Sequence, residues 1–271
     1  MYGAILGDII GEPYEFYRIK TTDFLLVGDQ NRYTDDSVMT IAVADGIMQN
    51  LDATDKEMKK AIITSMRRYG RKHPDAGYGG MFANWIESDN SGPYNSFGNG
   101  AAMRVSSVAW LYPYDLERAL HVAKLSAEVT HNHPEGIKAA EATTEVIWRA
   151  NKGQDKDDIR TCVEQKYYSL DKTCDEIRPT YRFDVTAQGT MPVALAAFFQ
   201  GNSFEEVVRL GVSLGGDSDT IGAIAGAMAE AYYGIPHHLK YMCIRKLAHS
   251  RDMYDVLNRF STFIYERDLC F

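Results

Sequence analysis

The sequence predicts an all-α fold, and three observations support this prediction. Apolar residues recur at four-residue spacing over much of the chain, for example at Met58, Ile62 and Met66. Signals for helix starts and stops flank these segments. Alternating strand-like runs bounded by turns do not occur in the sequence, which disfavours a β or α/β fold. We therefore expect a single compact multi-helix domain over residues 1–271.

Capping chemistry sets the expected helix boundaries. Thr54 and Glu57 have the spacing of a capping box, in which each side chain bonds the backbone N–H of the other residue. Ser203 and Glu206 repeat that spacing, and Pro134 suits a first helical turn. The predicted helices are 35–49, 54–69, 101–111, 115–130, 134–153, 157–168, 187–200, 203–214, 218–233, 237–249 and 254–266.

Two segments, 10–33 and 70–100, are predicted to be irregular. The second is dense in Gly, Asn, Ser, Pro and aromatic residues, and both are long enough to help build a binding site. The chain has no repeat of fixed period and no low-complexity linker, so nothing in it marks a domain boundary.

The composition is that of an ordinary globular protein, with 45% apolar residues, 24% charged residues and a net charge of −8. This acidic balance excludes a global basic surface for nucleic acid or an anionic membrane. The four cysteines lie far apart without a C-x-x-C pair, so we expect reduced thiols rather than a zinc site. The sequence has neither a basic leader nor an uncharged apolar stretch of about 18 residues, which predicts a cytoplasmic protein without a membrane span.

Two acidic clusters stand directly before predicted helices, more than half the chain apart. Each combines aspartates with a threonine, and together they comprise Thr34, Asp35, Asp36, Asp217, Asp219 and Thr220. Taken singly, each cluster is explained by an ordinary N-cap followed by acids in the first helical turn. Taken together, they offer more oxygen atoms than capping needs.

A cation is the expected partner of these aspartates. The helix after the second cluster consists largely of small apolar residues, which suit a buried helix. Neither motif has a basic side chain nearby in the sequence. Buried carboxylates are costly unless a positive charge lies between them. Oxygen ligands without His or Cys favour Mg²⁺ or Mn²⁺, and four aspartates suffice for two ions that share ligands. We therefore predict one binuclear Mg²⁺ or Mn²⁺ centre.

A glycine-flanked asparagine marks a second candidate feature. In "SFGNGAAMR", Gly98 and Gly100 surround Asn99 just before a predicted helix. Glycine lets the backbone approach a ligand, and a helix N-terminus offers free N–H groups to an anion. A simple turn also explains this loop. In combination with a dication site, a phosphate cradle is the favoured interpretation.

Two further positions could contribute to chemistry. His131 and His133 lie between two predicted helices. The alternative to a functional role is that this segment is only a helix C-terminus and a surface loop. Glu15 lies between Tyr14 and Phe16, and apolar surroundings of this kind raise the pKa of a carboxyl and suit acid–base work. An exposed loop carboxylate is the alternative for Glu15.

Four ordered motifs carry a resemblance to a known family. They are Gly7-Asp8…Gly11, Thr34-Asp35-Asp36, Gly98-Asn99-Gly100…Met103-Arg104 and Gly215-Gly216-Asp217…Asp219-Thr220. Their order and spacing, over about residues 1–235, resemble the ADP-ribosylhydrolases. The combination is specific, although no single motif is.

The resemblance implies a fold, a cofactor and a set of site residues. It implies the all-α fold of that family and two Mg²⁺ or Mn²⁺ ions with the ligands Thr34, Asp35, Asp36, Asp217, Asp219 and Thr220. It implies an ADP-ribose site that comprises Ser96, Phe97, Gly98, Asn99, Gly100 and His131. The residues expected to act in catalysis are Glu15, Asp36 and Asp217, with Asp8 in a supporting position.

The implied reaction is hydrolysis of the bond between C1 of the distal ribose of ADP-ribose and an acceptor. The acceptor, a protein side chain or a small molecule, stays open, and a nucleic-acid base is compatible though not indicated. Candidates for stacking on adenine are Tyr78, Phe82, Trp85, Tyr94 and Phe97.

Three other classes of protein are alternatives to a hydrolase of this family. A terpene-synthase-like D-D-x-x-D motif would need an acid where the chain has Met39. A dehalogenase-type phosphatase would need the motif D-x-D-x-[TV], and the chain has Ile221 in the last position of that motif. A catalytically silent homologue that binds ADP-ribose, or serves as a crystallin-like structural protein, remains the alternative.

Overall fold

The computed structural model describes residues 1–269, and its architecture there is all-α, as predicted. No β-strand occurs in that range, and a single isolated bridge pairs Gly98 with Thr186. In chain order the helices are α1 (Tyr2–Gly11), α2 (Asp35–Met48), α3 (Asp55–Lys72), α4 (Gly80–Glu87), α5 (Gly100–Met103), α6 (Ser107–Leu111), α7 (Leu116–Glu128), α8 (Pro134–Asn151), α9 (Lys156–Lys166), α10 (Cys174–Ile177), α11 (Ala187–Gln200), α12 (Phe204–Ser213), α13 (Ser218–Tyr233), α14 (His237–Leu247) and α15 (Arg251–Leu269).

The capping predictions can be checked bond by bond. At the start of α3, the Thr54 backbone N–H donates to Glu57 Oε2 at 3.0 Å, and the capping box is complete. At the start of α12, the Glu206 N–H donates to Ser203 Oγ at 3.2 Å. The Glu206 carboxylate accepts instead from the Asn202 N–H at 2.9 Å, so the second box is only half formed.

Three helices lie where the sequence carries no helical signal, and one predicted helix is divided. Helix α1 was not predicted, because it is buried on nearly every face and its apolar residues therefore show no periodicity. Helix α4 makes the loop prediction for 70–100 wrong over Gly80–Glu87, and the four-residue α10 was also missed. The predicted helix 101–111 is interrupted between Met103 and Ser107.

Helices α1 and α13 cross in unusually close contact at the centre of the molecule. Three pairs of residues bring backbone onto backbone: Gly3 with Gly226, Gly7 with Gly222, and Gly11 with Ser218. A Cβ atom at Gly7 would lie 1.9 Å from the Gly222 carbonyl oxygen, so no larger residue fits. The order of the pairs shows that the helices are antiparallel. The end of α1 therefore lies beside the start of α13.

Two other predictions concern cysteines and membranes. Cys162, Cys174 and Cys243 are free thiols, as expected, whereas Cys270 lies outside the described residues. None of the described helices combines the length and apolarity needed to cross a bilayer. The cytoplasmic location stays a prediction.

Candidate active site

The two acidic clusters meet at the start of α2 and of α13. The Thr220 hydroxyl donates to Asp36 Oδ2 at 3.2 Å and thereby joins segments that lie 184 positions apart in the sequence. Thr34 caps α2, with its hydroxyl oxygen accepting from the Asp36 N–H at 3.3 Å. The convergence predicted from the sequence is therefore present in the fold.

Asp8, at the end of α1, anchors the first turn of α2. Its carboxylate accepts from the Thr34 N–H at 2.9 Å, from the Thr34 hydroxyl at 2.7 Å and from the Ser37 N–H at 3.1 Å. The Ser37 hydroxyl also donates to it. Because these donors occupy its lone pairs, Asp8 is better suited to hold α2 in place than to bind a ligand. This agrees with the supporting position expected for it.

The carboxylates form two groups that share one residue. Oxygen atoms of Asp8, Asp36 and Asp219 lie within 4.8 Å of one another, and so do oxygen atoms of Glu15, Asp217 and Asp219. Asp219 belongs to both groups. Asp35 lies on the wall of the same cavity but belongs to neither group.

Burial raises the pKa of every carboxyl in this site: Asp8, Glu15, Asp35, Asp36, Asp217 and Asp219. At Glu15, repulsion from Asp217 and Glu12 adds to burial and the pKa rises to about 7. At Asp35, repulsion from Asp8 and Asp217 adds to burial and the pKa rises to about 8. Across residues 1–269, no Lys, Arg or His forms an ion pair with any of these six carboxyls. The negative charge is thus left without a protein counter-ion.

The donor set fits hard divalent cations. Asp36 Oδ1 is buried and has no hydrogen-bond partner within the described chain, although a carboxylate oxygen in that position needs one. The neighbouring donors are carboxylate and hydroxyl oxygens, the ligands that Mg²⁺ and Mn²⁺ prefer, and no His or Cys is in either group. The presence, the identity and the number of ions stay predictions.

All of these acids except Asp8 line one end of a cavity of about 740 Å³, a size typical of small-molecule sites. Glu15 lies on its wall, so the alternative of an exposed loop carboxylate is wrong for this residue. Four exposed apolar side chains also line it: Phe16, Met81, Phe97 and Val185. The cavity therefore combines an acidic end with an apolar mouth.

Residues 96–100, called the glycine loop below, form another wall of the cavity. The isolated bridge holds it, with the Asn99 N–H donating to the Val185 carbonyl at 2.9 Å. The Asn99 side chain donates to Asp217 Oδ2 at 2.6 Å and to Thr190 Oγ1 at 3.1 Å. Asn99 thus orients a carboxylate of the acidic end, a role that its position in the sequence did not reveal. A direct contact of Asn99 with substrate stays a prediction.

His131 packs against the inner side of the glycine loop. A Cβ atom at Gly100 would lie 3.0 Å from His131 Nε2, and one at Gly98 would lie 3.5 Å from it. Burial, followed by the charge of Arg104, lowers the pKa of His131 well below its ordinary value, so the ring is neutral. His131 is therefore at the cavity, whereas His133 caps α8 by accepting from the Glu135 N–H at 3.1 Å.

The aromatic candidates for adenine separate into two sets. Phe82, Tyr94 and Phe97 line the cavity. Trp85 is only 1% exposed and stacks on Phe82 with ring centroids 5.6 Å apart, so it belongs to the core. Tyr78 packs against the core and is not among the lining residues.

Several lining residues were missed from the sequence: Gly77, Met81, Arg104, Phe183 and Thr186. Arg104 is the exception for which a signal existed, since it ends the motif that begins at Gly98. The others lie in segments without a chemical motif.

Comparison with known proteins decides the family. The sequence profile of the ADP-ribosylglycohydrolase family matches residues 1–268. The chain belongs to the ADP-ribosylglycohydrolase family. The resemblance carried by the four motifs is thereby confirmed.

Named relatives cover most of the chain. ADP-ribosylhydrolase ARH3 of Homo sapiens is 25% identical, over 86% of this chain and 84% of that protein. The ADP-ribosyl-dinitrogen reductase glycohydrolase of Rhodospirillum rubrum is 28% identical, over 86% and 84%. ADP-ribosylarginine hydrolase Tri1 of Pseudomonas putida is 23% identical, over 87% and 70%. A solved ADP-ribosylglycohydrolase-related protein complex has the same fold, with a TM-score of 0.68 at 23% identity over 94% of this chain and 96% of that one.

Proposed function

We propose that this protein hydrolyses the glycosidic bond between the distal ribose of ADP-ribose and an acceptor, with two Mg²⁺ or Mn²⁺ ions as cofactors. One observation carries the proposal. Two groups of carboxylates share Asp219, and all of their members are buried except the half-buried Glu15. No basic side chain within residues 1–269 pairs with them, and all except Asp8 line the same cavity as the glycine loop. The names of the relatives, which include an ADP-ribosylarginine hydrolase, support the reaction class.

The residues that would hold the ions are those predicted from the sequence: Thr34, Asp35, Asp36, Asp217, Asp219 and Thr220. Such ions, when bound, lower the pKa of water and hold the hydroxyls of a sugar. Asp8 would keep the first turn of α2 in register for this purpose, and Asn99 would fix the direction of the Asp217 carboxylate.

Glu15 is suited to proton transfer. Its pKa of about 7 lets it both release and take up a proton near neutral pH, the condition for efficient general acid–base catalysis. It lies within 4.8 Å of Asp217 and Asp219. Glycosidic cleavage develops positive charge at the anomeric carbon, and the carboxylates of Asp36 and Asp217 would stabilise that charge.

The glycine loop is the proposed site of the diphosphate. Because Gly98 and Gly100 lack Cβ atoms, a ligand can approach their backbone beside the ring of His131. Ser96 lies at the start of this loop, with its hydroxyl oxygen accepting from the Gly98 N–H at 3.2 Å. Phe97 is 47% exposed, so its ring is available to stack on the adenine base.

A substrate panel tests the proposal. Peptides with ADP-ribosyl-arginine or ADP-ribosyl-serine, ADP-ribosylated nucleic acid and small O-linked derivatives would each be assayed with Mg²⁺, Mn²⁺ or EDTA. We expect release of ADP-ribose from at least one substrate and loss of that release in EDTA. The variant Asp158→Ala, at an exposed position on α9, is the control and should behave as wild type.

The outcomes separate the two functional hypotheses. Binding of ADP-ribose without release from any substrate would instead favour the catalytically silent homologue. Release that survives EDTA unchanged would contradict the metal requirement but leave the hydrolase assignment in place.

A further inference from the structure

A buried arginine without an acidic partner lies on the wall of the active-site cavity. Arg104 is 1% exposed, and no carboxylate within residues 1–269 forms an ion pair with it. Its Nε atom is buried without a hydrogen-bond partner in the described chain. Burying a lone guanidinium is costly, so a purely structural role explains it poorly.

The guanidinium reaches His131 through one hydroxyl. Arg104 Nη2 donates to Thr130 Oγ1 at 2.9 Å and to the Ser126 carbonyl oxygen at 2.9 Å. Thr130 Oγ1 lies 2.7 Å from His131 Nδ1. The three side chains thus form a continuous chain of hydrogen bonds that ends at the imidazole ring.

The direction of each bond follows from the donor inventory. A guanidinium can only donate, so the Thr130 hydroxyl oxygen is the acceptor from Arg104. The hydroxyl has one proton to give, and His131 Nδ1 is the one acceptor recorded for it among the described residues. Thr130 therefore donates to Nδ1, which must be the unprotonated nitrogen of the neutral ring.

The remaining proton of the ring is then on Nε2, which faces the glycine loop. Nε2 is the His131 atom that approaches Gly98 and Gly100, and no protein acceptor is recorded for it in the described chain. The positive charge of Arg104 also opposes protonation of the ring and helps to keep it neutral.

We infer that Arg104 and Thr130 are positioning residues that fix His131 as the Nε2–H tautomer, so that His131 donates a hydrogen bond to an anionic oxygen bound at the glycine loop. The inference rests on the proposed function in so far as that anion is the diphosphate of ADP-ribose. With the opposite tautomer, Nε2 would be an acceptor and would repel a phosphate oxygen.

Nitrogen-15 NMR of the ring tests the tautomer directly. In wild type without ligand, we expect the chemical shift of His131 Nδ1 to be that of an unprotonated nitrogen and that of Nε2 to be that of a protonated one. The variant Thr130→Val removes the hydroxyl at nearly constant volume, and both tautomers should then be populated. Thr130→Ser should restore the wild-type spectrum.

Binding of ADP-ribose supplies the second measurement. Thr130→Val should weaken ADP-ribose binding by about 10-fold, the loss expected for one charge-assisted hydrogen bond. The matched control is Thr144→Val, since Thr144 is also fully buried and its hydroxyl has no partner in the described chain. Thr144→Val should leave both the spectrum and the affinity unchanged.

Two results would overturn the inference: a wild-type spectrum with the proton on Nδ1, or ADP-ribose affinity in Thr130→Val equal to that of wild type. Because the spectrum is recorded without ligand, it decides the tautomer independently of activity. A wild-type protein that shows the expected tautomer but binds no ADP-ribose would count against the proposed function instead.

Discussion

Buried carboxylates are stabilised in two different ways in this protein. Asp45 and Glu145 are each 1% exposed, and basic side chains from the same chain surround them. Asp45 accepts from Arg68 and from Arg259, the latter at 2.7 Å. At Glu145 burial favours the neutral acid, but hydrogen bonds from Lys166, Tyr167, Cys162 and Arg149 outweigh it and lower the pKa to about 2.

Asp36 and Asp219 of the active-site cavity are buried to a similar degree, but no basic side chain in the described part of the chain pairs with them. Burial and mutual repulsion raise the pKa of Asp36 and Asp219 well above the ordinary value of 3.8. The chain evidently can supply cations to buried acids, since it does so at Asp45 and Glu145. Within residues 1–269 no such partner reaches Asp36 or Asp219, and this contrast supports our proposal that ions from outside the chain supply the positive charge.

The largest expected effect is that of Asp219→Ala on turnover. Asp219 is the proposed metal ligand that belongs to both carboxylate groups, so its removal disturbs the whole proposed metal centre. We expect kcat/KM to fall by at least about 10³-fold, with Asp217→Ala close behind. Steady-state assays on the substrate identified by the panel measure the loss, and circular dichroism checks that helicity survives.

Retained activity in both aspartate variants would contradict this expectation. It would mean that these acids are a buried cluster with no part in the reaction. Comparison of Asp219→Ala with the exposed Asp158→Ala separates loss of a site residue from loss of one negative charge.

The second expected effect is on the pH dependence of stability in metal-free protein. The pKa of Glu15 is raised to about 7 and that of Asp35 to about 8, against ordinary values of 4.5 and 3.8. Near neutral pH the folded protein therefore binds more protons at these groups than the unfolded chain does. Stability should fall as pH rises from about 6.5 to 8. His131, whose lowered pKa acts with the opposite sign, contributes only below its ordinary value of 6.5.

Thermal unfolding in EDTA between pH 6.5 and 8, with and without Mg²⁺ or Mn²⁺, measures this effect. The unfolding temperature should decline with pH in EDTA, and the stabilisation by either ion should grow over the same range as the carboxylates ionise. An unfolding temperature that stays level in EDTA, together with no shift on addition of either ion, would show that these acids are not a cation site.

The sequence allowed prediction of those features that depend on neighbouring residues. The start of α3 follows from Thr54 and Glu57 three positions apart, and the acidic clusters follow from aspartates beside threonine. Helix α1 could not be predicted in this way, because its close contact with α13 requires glycine where a periodic pattern would place larger apolar residues.

The site was predictable as a list of residues but not as an arrangement. That Asn99 would bond Asp217 depends on the packing of segments 118 positions apart, which no local pattern reports. The same is true of Arg104, which belongs to the glycine–asparagine motif. Its hydrogen-bonded connection to His131 passes through Thr130, which lies just after the end of α7. Features that depend on adjacent residues can be predicted from the sequence, whereas the pairing of distant side chains depends on how the helices pack.

The smallest expected effect is that of Asp45→Asn on stability. This variant tests the buried acids that have basic partners within the chain. The substitution removes the charge that holds Arg68 and Arg259, whose side chains are 49% and 52% exposed and can regain water. The free energy of unfolding should therefore fall by only about 2 kcal/mol. Denaturant titration measures this loss, and kcat/KM per folded molecule should stay at the wild-type value. If Asp45→Asn instead abolished turnover while the protein stayed folded, acids with protein partners and acids without them would not differ in function, and the distinction between the two sets would fail.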